Sequence, residues 1–80
     1  MITADQAEKL AHDTVEAYIN KCGCKTVEDV GRVLMKLASM TGLALVATQG
    51  QAEAVTIVES VKLHIAKPKY AGKVRMERLN

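Results

Sequence analysis

Aromatic residues and proline are scarce in this sequence. Its 80 residues include no Trp, no Phe, two Tyr and one Pro. A core must therefore be built from Ala, Val, Ile, Leu and Met. Hydrophobic residues make up 49% of the chain and charged residues 25%, a balance that is typical of globular proteins and argues against a disordered chain. At this length we expect one domain over residues 1–80, because the chain is too short for two cores.

Signatures of catalysis and of nucleotide-binding loops are also missing. Gly42 and Gly50 are eight residues apart and no Lys-Ser or Lys-Thr follows them, which excludes a P-loop or a dinucleotide fingerprint. The two histidines, His12 and His64, are not accompanied by the convergent set of groups that a catalytic site needs. The sequence therefore predicts a protein that is not an enzyme and has no cofactor.

Cysteine is limited to one close pair, Cys22 and Cys24. A disulfide across a single residue closes too small a ring to stabilise a fold, so the pair does not indicate a secreted disulfide framework. Two thiolates can bind a soft metal, and the flanking Lys21 and Lys25 would lower their pKa. A tetrahedral zinc site needs two further ligands, and neither histidine has a suitable spacing. We therefore predict no metal, and we expect Cys22 to pack as a small apolar residue at the helix end while Cys24 lies in the turn.

No targeting or membrane signal stands out. The first ten residues contain Asp5 and Glu8 where a signal peptide has a basic and then an apolar stretch. The longest run without formal charge, residues 37–52, is shorter than the roughly 20 residues of a membrane span. These observations predict a cytoplasmic protein without a membrane partner.

Hydrophobic periodicity predicts an all-α protein, a three-helix hairpin or bundle with helices at about 3–22, 26–48 and 51–66. A basic and flexible tail is expected at residues 67–80. Thr3 with Gln6 forms a capping-box pattern, and Gly23 suits the end of the first helix.

An α+β alternative stays open, with short strands at residues 43–47 and 73–79. Residues 54–65 are similarly ambiguous, because they contain β-branched residues and alternate apolar with polar positions. The length of that segment and the lack of a turn within it favour helix.

The second helix is apolar on more faces than two neighbours can cover. An exposed apolar patch promotes association, and closed two-fold association is common for small chains. We therefore predict a homodimer or a higher closed oligomer. The candidate interface residues are Leu34, Met35, Leu37, Met40, Leu43, Leu45 and Val46.

Positive charge is concentrated at the end of the chain. Residues 1–61 contain five basic and eight acidic residues, whereas residues 62–80 contain six basic residues and Glu77. Cations attract phosphate, and a tyrosine ring can stack on a base. The candidate contacts to nucleic acid or to a small anionic nucleotide are Lys67, Lys69, Tyr70, Lys73, Arg75 and Arg78.

The chain resembles short bacteriophage-encoded accessory proteins in two segments. These are residues 27–43, and residues 58–65 with the basic tail that follows. The resemblance implies stoichiometric binding of a host protein, a nucleic acid or a small signalling nucleotide. The expected function is a small, oligomeric, non-enzymatic binding or adaptor protein whose partner is a host protein. Nucleic-acid or nucleotide binding through the basic segment is the alternative.

Overall fold

The computed structural model describes residues 1–72, and these form three α-helices with a short 3₁₀-helix after them. Helix α1 spans Ala4–Cys22, α2 spans Val27–Gln49, α3 spans Gln51–Ile65 and the 3₁₀-helix spans Pro68–Tyr70. No strand occurs in this part of the chain. The prediction of an all-α protein with three helices is confirmed, and each helix boundary lies within one residue of its predicted position.

The strand predicted as an alternative at residues 43–47 is wrong. These residues lie inside α2, and residues 54–65 lie inside α3. Extending an existing helix adds one hydrogen bond per residue, whereas a lone strand needs a partner strand, which residues 1–72 do not contain. The alternative strand at residues 73–79 falls outside the described residues.

Helix α1 begins and ends with the caps that the sequence predicts. The Gln6 backbone N–H donates to Thr3 Oγ1 at 3.2 Å, and the Thr3 N–H donates to Gln6 Oε1 at 2.9 Å, which completes a capping box. Gly23 follows the helix with φ +67° and donates its N–H to the Asn20 carbonyl at 3.3 Å. A side chain is disfavoured in this left-handed conformation, so glycine provides the stop.

Helix α2 begins with a reciprocal pair of side-chain contacts. The Asp29 N–H donates to Thr26 Oγ1 and the Lys25 N–H donates to Asp29 Oδ2, both at 3.1 Å. The helix ends at Gln49, and Gly50 separates it from α3 with φ +87°. Gly42 lies within α2 rather than at its end.

The chain divides into two compact units, and the division falls inside α2 between Leu34 and Met35. In the first unit α1 packs on the start of α2, where Tyr18 Oη donates to the Val33 carbonyl at 2.7 Å and Ile19 is 5% exposed. In the second unit α3 follows the rest of α2, and Ala54 is 2% exposed. These are the two buried hydrophobic side chains of residues 1–72, one in each unit.

Candidate functional site

The second unit exposes large hydrophobic side chains on both of its helices. Nine of them, which we call the apolar set, are between 39% and 69% exposed. They are Met35, Met40, Leu43, Val46, Val55, Val58, Val61, Leu63 and Ile65. Against this apolar set, residues 35–72 of the unit contain a single buried residue, Ala54. The unit therefore presents more apolar surface to solvent than it encloses.

Four of the seven predicted interface residues are exposed in this way: Met35, Met40, Leu43 and Val46. The other three, Leu34, Leu37 and Leu45, are partly buried within the chain. Sequence reasoning missed the contribution of α3, because its apolar stripe was assigned to intramolecular packing. The length and composition of α3 could have indicated this contribution. A helix of 15 residues with so many branched apolar side chains needs more than one neighbouring helix to cover it.

A groove runs between α2 and α3 and has a volume of about 210 Å³. Its lining residues are Gly42, Val46, Ala54, Val55, Val58 and Glu59, and we call it the Gly42 groove. A Cβ atom built on Gly42 would meet no heavy atom within 4 Å. The space above Gly42 is therefore open, and three members of the apolar set border it.

Four hydroxyl side chains of the second unit donate a hydrogen bond within their own helices. Thr41, Thr48, Thr56 and Ser60 each donate to the carbonyl oxygen four residues earlier, at 2.8 to 3.2 Å. A buried hydroxyl is costly only when it lacks a hydrogen-bond partner. Another apolar surface can consequently cover these four groups without leaving their O–H donors unpaired.

Helix α2 is also long and apolar enough to cross a membrane, by the criteria of length and composition. Its 23 residues include an 18-residue window of mean hydropathy 1.5 that contains no buried residue. The prediction from sequence missed this feature because it considered only the uncharged run, residues 37–52. The helix extends further toward its N-terminus and includes Lys36 and Arg32. The core helix of a soluble protein and a signal sequence near the N-terminus meet the same criteria.

The basic segment is described only in part. Lys67 and Lys69 are exposed, whereas Lys73, Arg75 and Arg78 lie outside the described residues. Tyr70 packs edge-on against His64 with ring centroids 5.5 Å apart, and Lys69 Nζ lies 5.1 Å from the Tyr70 ring centroid. Two neighbours therefore already contact this ring, which leaves less of it for stacking on a base.

The two cysteines lie at the end of α1 and in the turn that follows it. Cys22 is exposed and Cys24 is partly buried, and both thiols are free. Burial raises the pKa of the Cys24 thiol above its usual value, and Cys22 and Asp29 nearby raise it further. The expectation that Lys21 and Lys25 activate this thiol is wrong, because burial and the neighbouring acidic groups dominate. Within residues 1–72 no group of three or more His, Cys, Asp or Glu side chains could hold a metal ion.

Histidine and carboxylate groups do meet on α1. His12 Nδ1 lies 3.7 Å from an Asp13 carboxylate oxygen and 4.0 Å from one of Glu16. Lys9 Nζ donates to the other Asp13 oxygen at 2.9 Å, and this hydrogen bond lowers the pKa of the Asp13 carboxyl. These are contacts between neighbouring turns of one helix, and they resemble the charge pairs that stabilise exposed helices.

Comparisons of the chain with protein-family models, with curated proteins and with solved structures find no match.

Proposed function

We propose that this protein is a small, self-associating binding protein that acts stoichiometrically and without catalysis. The observation that carries the proposal is the exposed apolar set on α2 and α3, which compares with one buried residue in the described part of the same unit. The proposed interface extends the predicted one, because it uses α3 as well as α2.

The size of the apolar set supports this proposal. The exposed fractions of its nine members are equivalent to about five fully exposed side chains, whose burial is worth about 8–15 kcal/mol at about 1.5–3 kcal/mol each. The net stability of a folded domain is of the same size, about 5–15 kcal/mol. The free energy gained when a partner covers this surface can therefore be as large as the net stability of a folded domain.

Satisfied polar groups support the same interpretation. A hydrogen-bonding group in the core of an interface needs a partner, because leaving it unpaired is costly. Carbonyl oxygens already accept from the hydroxyls of Thr41, Thr48, Thr56 and Ser60. Charged side chains are sparse here as well, since Glu53 is the one charged residue between positions 42 and 58. Covering this region costs little desolvation of charge.

The mass of the protein in solution tests this proposal. Sedimentation velocity and light scattering across a wide concentration range should give a multiple of the 8.7 kDa chain, and thermal unfolding should shift upward with concentration. A monomer at every concentration, with an unfolding midpoint independent of concentration, would contradict the proposal.

The target of such a protein is also part of the proposal. A host protein is the partner class that the resemblance to phage accessory proteins implies, and affinity purification from the source cell with mass spectrometry identifies it. Recovery of one host protein at a fixed ratio to this chain is the expected outcome. Recovery of no protein above the level seen with a variant lacking the apolar set would contradict a protein target.

Nucleic-acid or nucleotide binding through the basic segment stays a prediction. A gel-shift titration at two salt concentrations measures it, because contacts to phosphate weaken as salt rises. The contacts of Tyr70 with His64 and Lys69 favour the protein-binding proposal over this alternative.

A further inference from the structure

Gly42 is the one glycine in the part of α2 that belongs to the second unit, and at the Gly42 groove a neighbouring helix can approach the helix backbone. Gly42 has no side chain, and the space above its Cα is open. Small residues at a helix surface allow close approach of a second helix, because the backbones meet without an intervening side chain. Val46, Val55 and Val58 border the groove and are half exposed, so they form the walls of a site for an apolar side chain.

Helical periodicity extends the groove into a face. Met35, Ser39, Gly42 and Val46 recur at three- and four-residue steps along α2, which places them on one side of the helix. Val55, Val58, Lys62 and Ile65 do the same along α3. Glu59, on the rim of the groove, and Lys62 are the charged members of this face, and they form an ion pair at 3.4 Å.

Charge is distributed unevenly along the second unit. Its turn end, around Gly50, has Glu53 as the nearest charge. The opposite end, where α3 stops and this part of α2 begins, has an excess of basic side chains, one of which is paired with Glu59. They are Lys36, Lys62, Lys67 and Lys69.

We propose that a second copy of this chain docks on the Gly42 groove in the antiparallel orientation, so that the turn end of one copy lies against the basic end of the other. The inference rests on the proposed self-association and specifies its geometry. Antiparallel docking places the lysines at the basic end of each copy against the turn end of the other, and no basic residue occurs between positions 37 and 61. Parallel docking would bring the basic ends of both copies together, and like charges at an interface repel. The result is four antiparallel helices around a two-fold axis, with Gly42 of both copies near the crossing point.

A matched pair of glycine variants tests the docking site. Gly31 and Gly42 lie in the same helix, and a Cβ at either position meets no heavy atom within 4 Å. Alanine should therefore favour the helix at both positions. Gly42→Ala should raise the dissociation constant of the oligomer at least about tenfold, because a methyl group enters a closely packed contact. Gly31→Ala should leave the dissociation constant unchanged.

Cross-linking tests the orientation. In a Cys22→Ser, Cys24→Ser background, single cysteines are placed at Gln51 at the turn end of α3 and at Ile65 at its basic end, with a purification tag on one variant. These positions are about 21 Å apart along α3. A short bifunctional maleimide should link Gln51→Cys to Ile65→Cys in mixed oligomers and should link neither variant to itself efficiently. Efficient self-linking of Gln51→Cys would show parallel docking and overturn the orientation.

The outcomes separate this inference from the proposal beneath it. If the protein is oligomeric but Gly42→Ala and Gly31→Ala associate equally well, the groove is not the docking site and self-association still stands. If the wild-type protein is monomeric at every concentration, both ideas are wrong. Flotation of a monomer with neutral phosphatidylcholine vesicles would assign the apolar set to a membrane instead, which also overturns the inference.

Discussion

Replacing Val55 by serine should weaken self-association far more than it weakens the fold of the single chain. Val55 is 62% exposed, so the chain alone gains little from burying it, whereas an interface can bury the remainder. Full burial of a valine is worth about 1.5 kcal/mol, which leaves about 0.9 kcal/mol for the interface in each copy. Serine and valine have similar helix propensities, so α3 itself should form equally well.

Two-fold symmetry doubles the effect. Each substitution occurs in both copies, so Val55→Ser should cost a dimer about 2 kcal/mol, or about 30-fold in its dissociation constant. Sedimentation velocity over a dilution series measures the constant, and circular dichroism at high concentration checks that helix content is unchanged.

Val27→Ser supplies the matched control. Val27 is 85% exposed and lies at the start of α2 in the first unit, outside the proposed interface. The same substitution there should change the dissociation constant by less than about twofold, as expected of exposed positions away from special features. Equal dissociation constants for the two variants would refute the reasoning, because the exposed apolar set would then have no part in association.

Local features of the helices yield three further expectations. Thr3→Ala removes the capping box with Gln6 and should lower the free energy of unfolding by about 1 kcal/mol in a urea titration, whereas Thr3→Ser should retain it. Gly50→Ala forces a side chain into φ +87° and should cost about 1–2 kcal/mol by the same assay; an unchanged midpoint would mean that the α2–α3 turn rearranges freely. Burial, followed by the neighbouring Cys22, raises the pKa of Tyr18 above its ordinary value of 10.0. The neutral phenol that donates to the Val33 carbonyl is therefore fully stabilising below pH 10, and this stability is lost as the pH rises through the raised pKa. The Tyr18→Phe variant should lack that part of the alkaline loss, and identical pH profiles for the two proteins would contradict this assignment.

The order and extent of the helices could be predicted from the sequence, because they depend on interactions between residues close in the chain. Capping by Thr3 with Gln6, the left-handed stop at Gly23 and the apolar periodicity of α1 act within one or two helical turns. The helix over residues 43–47 was harder to predict, because β-branched and small residues there are compatible with both helix and strand. It is decided by continuity with the turns that precede it.

Which apolar residues stay exposed depends on tertiary structure, since periodicity gives the face of a helix but not the neighbour that covers it. Four leucines of α2 illustrate this. Leu43 is exposed, whereas Leu34, Leu37 and Leu45 are partly buried. The Gly42 groove likewise depends on the juxtaposition of residues from two helices, and no local pattern brings Gly42 beside Val58. The sequence by itself therefore determined where each helix begins and ends. Only packing between helices decided which surface remained available for a partner, because burial is a property of pairs of elements that are distant in the chain.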